Sequence, residues 1–219
     1  QARILSDARR FHPDVDPDPD VMHDDEALSQ LYLETYNQEL QIKGPLRLML
    51  DGRPLDLSAF RYGAVLNADT MKHADILGEQ TIRKVVTVEN KANFMAAPYE
   101  EGCLLIYTHG FFSPKERDFL KALAGALKGR TVEYLHSGDM DFGGLRIFCF
   151  IRDNLFPDVR PLHMNAELYR RHLSSGYEME PGALRDLEKM SAALPEELEE
   201  LRQEMLKTGK GLEQEMLLI

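Results

Sequence analysis

The sequence predicts an α/β fold: a parallel four-stranded sheet with flanking helices, an N-terminal hairpin and helical region, and C-terminal helices. Three observations carry that reading. From residue 84 to 164, short apolar runs alternate with stretches of helical period, the pattern of βα units wound right-handedly into a parallel sheet. One intervening helix opens on a capping box, Ser113-Pro114-Lys115-Glu116, with proline at its first position. Two apolar runs stop abruptly at acids, Glu89 in one case and Asp139-Met140-Asp141 in the other. In open α/β sheets the C-terminal ends of the strands are where ligands bind.

Taken in order, residues 3–12 suit a short helix, and Asp14, Asp16, Asp18 and Asp20 then alternate with Val15, Pro17 and Pro19. The prolines and the lack of a mid-loop glycine exclude an EF-hand and leave a solvated acidic loop through Glu26. Leu28, Leu31, Tyr32, Thr35 and Leu40 are spaced for one face of a helix over 26–40. Leu46, Leu48 and Leu50 alternate into Asp51-Gly52, and Leu55 and Leu57 resume the alternation, which reads as a hairpin. Residues 64–77 carry Val65, Leu66, Met71, Ala74 and Leu77 and are assigned to a helix.

The regular part follows, with a strand over 84–88 and a helix over 91–98 that Asn90 caps. A second strand over 103–107 ends at Thr108-His109-Gly110, and the capping-box helix spans 114–128 and stops at Gly129. A third strand over 131–136 leads to Asp139 and Asp141, a helix over 143–155 runs to Phe156-Pro157, and a fourth strand covers about 159–164. Helices are expected at 166–173, 182–193 and 195–207, with a further one from Leu212 to Ile219. The resulting division is 1–83, 84–165 for the sheet domain, and 166–219 for a helical extension.

With 219 residues, 43% hydrophobic and 29% charged, the chain can bury a substantial core. It begins at Gln1 rather than Met, which suggests a piece of a longer protein with an N-terminal domain missing. No run reaches membrane-spanning length and no signal peptide is visible. Cys103 and Cys149 fall inside expected elements and read as buried free thiols of a cytoplasmic protein. The net charge of −11 is uneven. Residues 1–40 hold ten acids and three bases, residues 178–219 eleven acids and five bases, and residues 41–177 sixteen acids and eighteen bases. The section with the strand-end acids is therefore slightly basic, so global charge does not exclude a nucleic-acid partner.

Glu89, Asp139 and Asp141 would lie together on neighbouring strand ends with no basic partner between them. That arrangement calls for a hard divalent cation, Mg²⁺ or Mn²⁺, which prefers carboxylate oxygens and retains waters. Such a cation neutralises charge in phosphoryl transfer, and a carboxylate such as Glu89 can also act as general acid or base. In Asp139-Met140-Asp141 the alternation puts both acids on one side and Met140 on the other, while Gly138, Gly143 and Gly144 permit a tight turn. The plainer alternative is that Asp141 caps the helix after it and Glu89 is a solvated loop acid.

These motifs resemble a Toprim domain, the Rossmann-like fold shared by topoisomerases, primases and nucleases of the overcoming-lysogenization-defect type. The resemblance lies in Glu89-Asn90-Lys91, a βαβα unit, and Gly138-Asp139-Met140-Asp141-Phe142-Gly143-Gly144. Phe142 intervenes where many Toprim motifs have a glycine directly after the aspartates. Val88 to Phe94, Tyr107 to Phe111 and the terminal Leu212-Glu213-Gln214-Glu215 are similar to the C-terminal region of the JetD family of Wadjet anti-plasmid systems, related to the A subunit of topoisomerase VI. The resemblance implies metal-dependent cleavage of double-stranded DNA beside an SMC-like complex, with Glu89, Asp139 and Asp141 as catalytic metal ligands, two ions per site, and water as attacker. By analogy it also implies a homodimer. Lys91 is a candidate for the scissile phosphate. His109, His136 and Arg146 are candidates for DNA contact, as is Arg152, and Glu213 and Glu215 are candidate accessory acids. Two other readings stay open: a topoisomerase-type strand transferase using a tyrosine, and a non-catalytic assembly module.

Overall fold

The computed structural model describes residues 39–190 and 194–217, so the acidic loop, the helix expected at 3–12 and most of that expected at 26–40 lie outside the described residues. The elements are β1 (Glu39–Lys43), β2 (Arg47–Leu50), β3 (Arg53–Asp56), β4 (Ala64–Asn67), α1 (Ala68–His73), β5 (Ala74–Ile76), β6 (Lys84–Val88), α2 (Lys91–Ala96) and β7 (Cys103–Tyr107). After them come α3 (Pro114–Leu127), β8 (Glu133–Ser137), α4 (Phe142–Asn154), β9 (Arg160–Pro161), α5 (Ala166–His172), β10 (Tyr177–Glu178), α6 (Pro181–Glu188), α7 (Glu196–Thr208) and β11 (Lys210–Gly211).

The main sheet has six strands in the order β4-β1-β7-β6-β8-β9. β7, β6, β8 and β9 run parallel, whereas β1 pairs antiparallel with both β7 and β4. The sheet is thus wider than the expected four strands. Leu40 and Ile42 supply the reason: they alternate along β1 and are fully buried, so the chain gains by laying this segment against β7. Leu40 accordingly belongs to a strand and not to a helix over 26–40. The central strand β6 is apolar on both faces, as a covered parallel strand must be. Val85 packs in the main core, while Val86 and Val88 join Phe94, Cys103 and Leu105 in a second cluster.

Lys43 ends β1 inside the protein, and its Nζ donates to the carbonyls of Phe94, Met95 and Ala97. A cation there satisfies orphan carbonyls at the C-terminus of α2 and complements its dipole. The Asp51-Gly52 hairpin forms as read, with both residues at positive φ (49° and 75°) as a two-residue type I′ loop requires. Asn90 caps α2 through Ala92 and Asn93, and Ser113 and Glu116 form the capping box of α3.

Three expectations are corrected. Residues 64–77 are strand, short helix and strand: Asn67 caps α1 at Thr70, and Val65 and Leu66 pair with β1 before it. The fourth parallel strand covers only Arg160–Pro161, an edge strand whose last ladder bond is the Leu162 N–H donating to the His136 carbonyl at 2.7 Å. The terminal segment is not an α-helix. Leu212 forms an antiparallel bridge with Met140, and only Gln214–Leu217 winds into a 3-10 turn.

Candidate functional site

β6 and β8 are adjacent and in parallel register, Val88 beside Ser137, so the residues that follow them emerge at one edge. The ladder continues one step, with the Glu89 N–H donating to the Ser137 carbonyl at 2.9 Å. The Glu89 Oε2 in turn accepts the Asp139 N–H at 3.1 Å. Gly138 makes this approach possible, since a Cβ there would fall 2.5 Å from Glu89 Oε2 and 2.9 Å from His136 Nε2. Gly144 does the same below the turn, where a Cβ would run into the Asp139 carbonyl.

Met140 is fully buried in the main core, which leaves Asp139 and Asp141 on the opposite side. Asp141 caps α4, its Oδ1 accepting the Gly144 N–H at 2.7 Å, and its Oδ2 accepts the Tyr177 hydroxyl at 2.8 Å. The capping role that the sequence offered as the plainer alternative is therefore real. Asp139 Oδ1 accepts the backbone N–H of Gln214 at 2.7 Å.

No ion pair among the described residues involves Glu89, Asp139 or Asp141. Burial and then the charge of Asp139 push the Glu89 carboxyl up to about 7, with Asp141 and Glu213 adding to the shift. Burial likewise pushes Asp139 up to about 6; the Gln214 N–H opposes it, and Glu213 and Asp141 reinforce it. Burial and neighbouring like charge thus bring both acids toward neutrality, Glu89 further than Asp139.

The donor set suits a hard cation, which needs only one or two carboxylates beside its waters. Glu89 and Asp139 fit that requirement. The expected three-acid ligand set is not closed in this arrangement: among the described residues no three acidic, imidazole or thiol groups converge on one point. Asp141 spends one oxygen on the helix terminus, while the other accepts from Tyr177 and keeps a second lone pair.

The other candidates scatter. Lys91 is the first residue of α2, exposed, with its Nζ 6.0 Å from the Tyr107 ring centre. His109 lies at φ 42° after β7, and its Nε2 meets the buried Glu116 carboxylate at 2.8 Å. His136 is a correction. It is fully buried and out of reach of a DNA backbone, its Nδ1 beside Thr87 Oγ1 at 2.9 Å, and burial depresses it to about 3. Its Nε2 is buried and has no hydrogen-bond partner among the described residues. Arg146 is exposed on α4 over the rings of Phe111 and Phe142, and Arg152 contacts Asp153. Glu213 stands near Asp139, and Glu215 accepts from the Asn90 side chain at 3.0 Å.

Two residues escaped the sequence reading. Gln214 is 3% exposed; its Oε1 accepts the Asn90 N–H at 2.9 Å and its Nε2 donates to Ser137 Oγ at 2.7 Å. One amide thus clamps the ends of β6 and β8 together. Tyr177 sits on Asp141. Only the flanking Glu213 and Glu215 drew attention to Gln214, and nothing local marked Tyr177.

The chain matches the family model for Wadjet protein JetD, C-terminal, over residues 43–219. The chain belongs to this JetD C-terminal family. A curated relative, Wadjet protein JetD of Bacillus cereus (strain Q1), is 30% identical over 223 residues, covering 99% of this chain and 52% of the relative. The chain therefore spans about half the length of that JetD protein. The JetD match includes both strand-end acid motifs and the terminal segment that clamps them.

Proposed function

We propose that the chain is the Toprim-type nuclease region of a Wadjet anti-plasmid system, cleaving double-stranded DNA with Mg²⁺ or Mn²⁺. The observation that carries this reading is the approach of Glu89 to Asp139 across two parallel strand ends, without any cationic side chain between them. Glu89, Asp139 and Asp141, the last through its Oδ2, would hold the cation, with Glu213 adding negative charge beside it. The bound cation supplies charge neutralisation on phosphate oxygens and lowers the pKa of water. Glu89 would serve as a ligand of the cation or, left unligated, as the carboxylate that takes a proton from an attacking water. Lys91 and Arg146 remain exposed and would meet the DNA backbone, as would the half-exposed His109.

The partners under this reading are double-stranded DNA, SMC-like subunits of the system and a second copy of the chain, since two cuts on opposite strands suit twofold symmetry. The buried unpaired Cys103 and Cys149 agree with the reducing cytoplasm. No helix among the described residues is long and apolar enough to cross a membrane. A strand-transferase reading gains one observation, a tyrosine hydroxyl at the site, but that hydroxyl donates to Asp141, and burial followed by this bond raises its pKa.

The test is a calorimetric titration of Mn²⁺ into the chain and into an Asp139→Asn/Asp141→Asn variant, followed by plasmid nicking with Glu89→Gln. Binding lost in the double variant, and nicking reduced at least about 100-fold in Glu89→Gln, are the expected results. Equal binding in both proteins would remove the metal from these strand ends and favour an assembly role.

A further inference from the structure

The aspartate pair does not stand alone at its strand end. Met140, between the two acids, exchanges both backbone hydrogen bonds with Leu212, at 2.9 and 3.1 Å. Leu212 directly follows β11, which pairs with β10 through Tyr177 beside Gly211 and Glu178 beside Lys210. The acid pair is therefore flanked by a small ladder supplied by the last part of the chain. Within that ladder Tyr177 lies against the Gly211 backbone, where a Cβ would fall 2.7 Å from both the ring and the hydroxyl oxygen. Gly176 is equally constrained, since a Cβ on it would sit 2.9 Å from the Gly211 carbonyl. Gly211 thus keeps open the space in which the Tyr177 ring reaches Asp141, while Gly176 permits the close approach of the two short strands.

The two oxygens of Asp141 have different duties. Oδ1 is committed to the Gly144 N–H at the start of α4. Oδ2 is the oxygen left for any ligand, and among the described residues it accepts the Tyr177 hydroxyl at 2.8 Å. A carboxylate oxygen has two lone pairs, so one phenol leaves the other available. Groups that hydrogen-bond a ligating carboxylate fix its direction and tune its affinity for metal.

Resting on the metal-site reading above, we infer that Tyr177 is a positioning residue of the cation site, aiming Asp141 Oδ2 while Gly211 holds the ring in place. The role belongs to the hydroxyl, and the ring supplies only packing. Tyr177→Phe keeps the packing and removes the donor. Gly211→Ala keeps the donor and displaces it.

Mn²⁺ titration of the 219-residue chain, Tyr177→Phe and Gly211→Ala tests this without relying on cleavage. Wild type should bind, and Tyr177→Phe should bind about 10- to 100-fold more weakly, with its melting temperature in the absence of metal nearly unchanged. Placing Tyr177→Phe on an Asp141→Asn background should cost little more, because the phenol acts through that carboxylate. Gly211→Ala should weaken binding in the same direction. Binding by wild type that Tyr177→Phe leaves unchanged would overturn the role of Tyr177 and leave the nuclease reading standing. No Mn²⁺ binding by wild type would overturn both. A covalent protein–DNA adduct that disappears in Tyr177→Phe would replace the positioning role with that of an attacking group.

Discussion

The backbone N–H of Gln214 donates to Asp139 Oδ1 at 2.7 Å across 75 residues of sequence. The same residue spends its side chain on the Asn90 N–H and Ser137 Oγ, so one position near the end of the chain joins both strand ends to one acid. Gln214→Ala would leave a buried N–H without an acceptor and a serine hydroxyl without its donor. The expected destabilisation is about 2–4 kcal/mol, read as a lower denaturant midpoint. Gln214→Glu should be worse at neutral pH, because it adds a buried acid beside Asp139, and the gap to Gln214→Ala should narrow as the pH is lowered.

Gly143 and Gly144 are adjacent yet should respond very unequally to alanine. At Gly144 a methyl meets the Asp139 backbone, which cannot yield without moving the acid. At Gly143 it meets only Asp141 Oδ1, 3.2 Å away. Gly144→Ala is expected to cost about 3 kcal/mol or more through overpacking. Gly143→Ala should be close to neutral, the better helix propensity of alanine offsetting the tight contact. Paired thermal melts of the two variants check this.

Features whose causes are local were legible. Asp51-Gly52, the Asn90 cap and the Ser113–Glu116 box each act within a few residues, and each formed as read. Strand ends at Glu89 and Asp139 were legible because apolar runs stop there. The error at 64–77 arose because Val65, Leu66, Met71 and Ala74 satisfy a helical period although Asn67 interrupts them as a cap. β10 and β11 are two residues long, too short for any periodicity, so Tyr177 could not be placed. Gln214 bonds to partners 77 and 124 residues away, and no local pattern encodes that. His136 sits on a strand like its neighbours; its complete burial follows from packing around β8 and not from its sequence position.

The His109–Glu116 pair should give the fold a local pH optimum. The bond to Glu116 raises His109 above its ordinary 6.5, so its contribution is complete below 6.5 and is lost as pH rises through the raised value. Burial pushes Glu116 upward, but the bonds from His109 and Ser113 outweigh it and leave the carboxyl below 4.5. Its contribution is present above 4.5 and lost as pH falls through the lowered value. The pair therefore stabilises most between about 4.5 and 6.5. With the imidazole 40% exposed, the effect should stay under about 1 kcal/mol. Glu116→Gln should flatten this part of the stability–pH curve, measured by urea unfolding at several pH values.

Glu89 and Asp139 should act in the opposite sense. Both carboxyls are raised, to about 7 and about 6, by burial first; the charge of Asp139 adds to the shift at Glu89, and those of Glu213 and Asp141 add to it at Asp139. The native state thus binds more protons than the unfolded chain across the interval from the ordinary value to the raised one, and stability falls as pH rises. The decline should begin near 3.8, where the unfolded Asp139 ionises, steepen past 4.5 as the unfolded Glu89 follows, and level off above about 7. Glu89 alone should account for about 2–3 kcal/mol, allowing for its partial exposure. Under the proposed function a divalent cation counters this loss by favouring the ionised acids. Millimolar Mg²⁺ or Mn²⁺ should then raise the melting temperature more at pH 8 than at pH 5, and chelation should reverse the gain. Glu89→Gln should remove roughly half of the decline, leaving the part due to Asp139, and most of the metal response. A metal response of equal size at both pH values would separate the cation from these two acids.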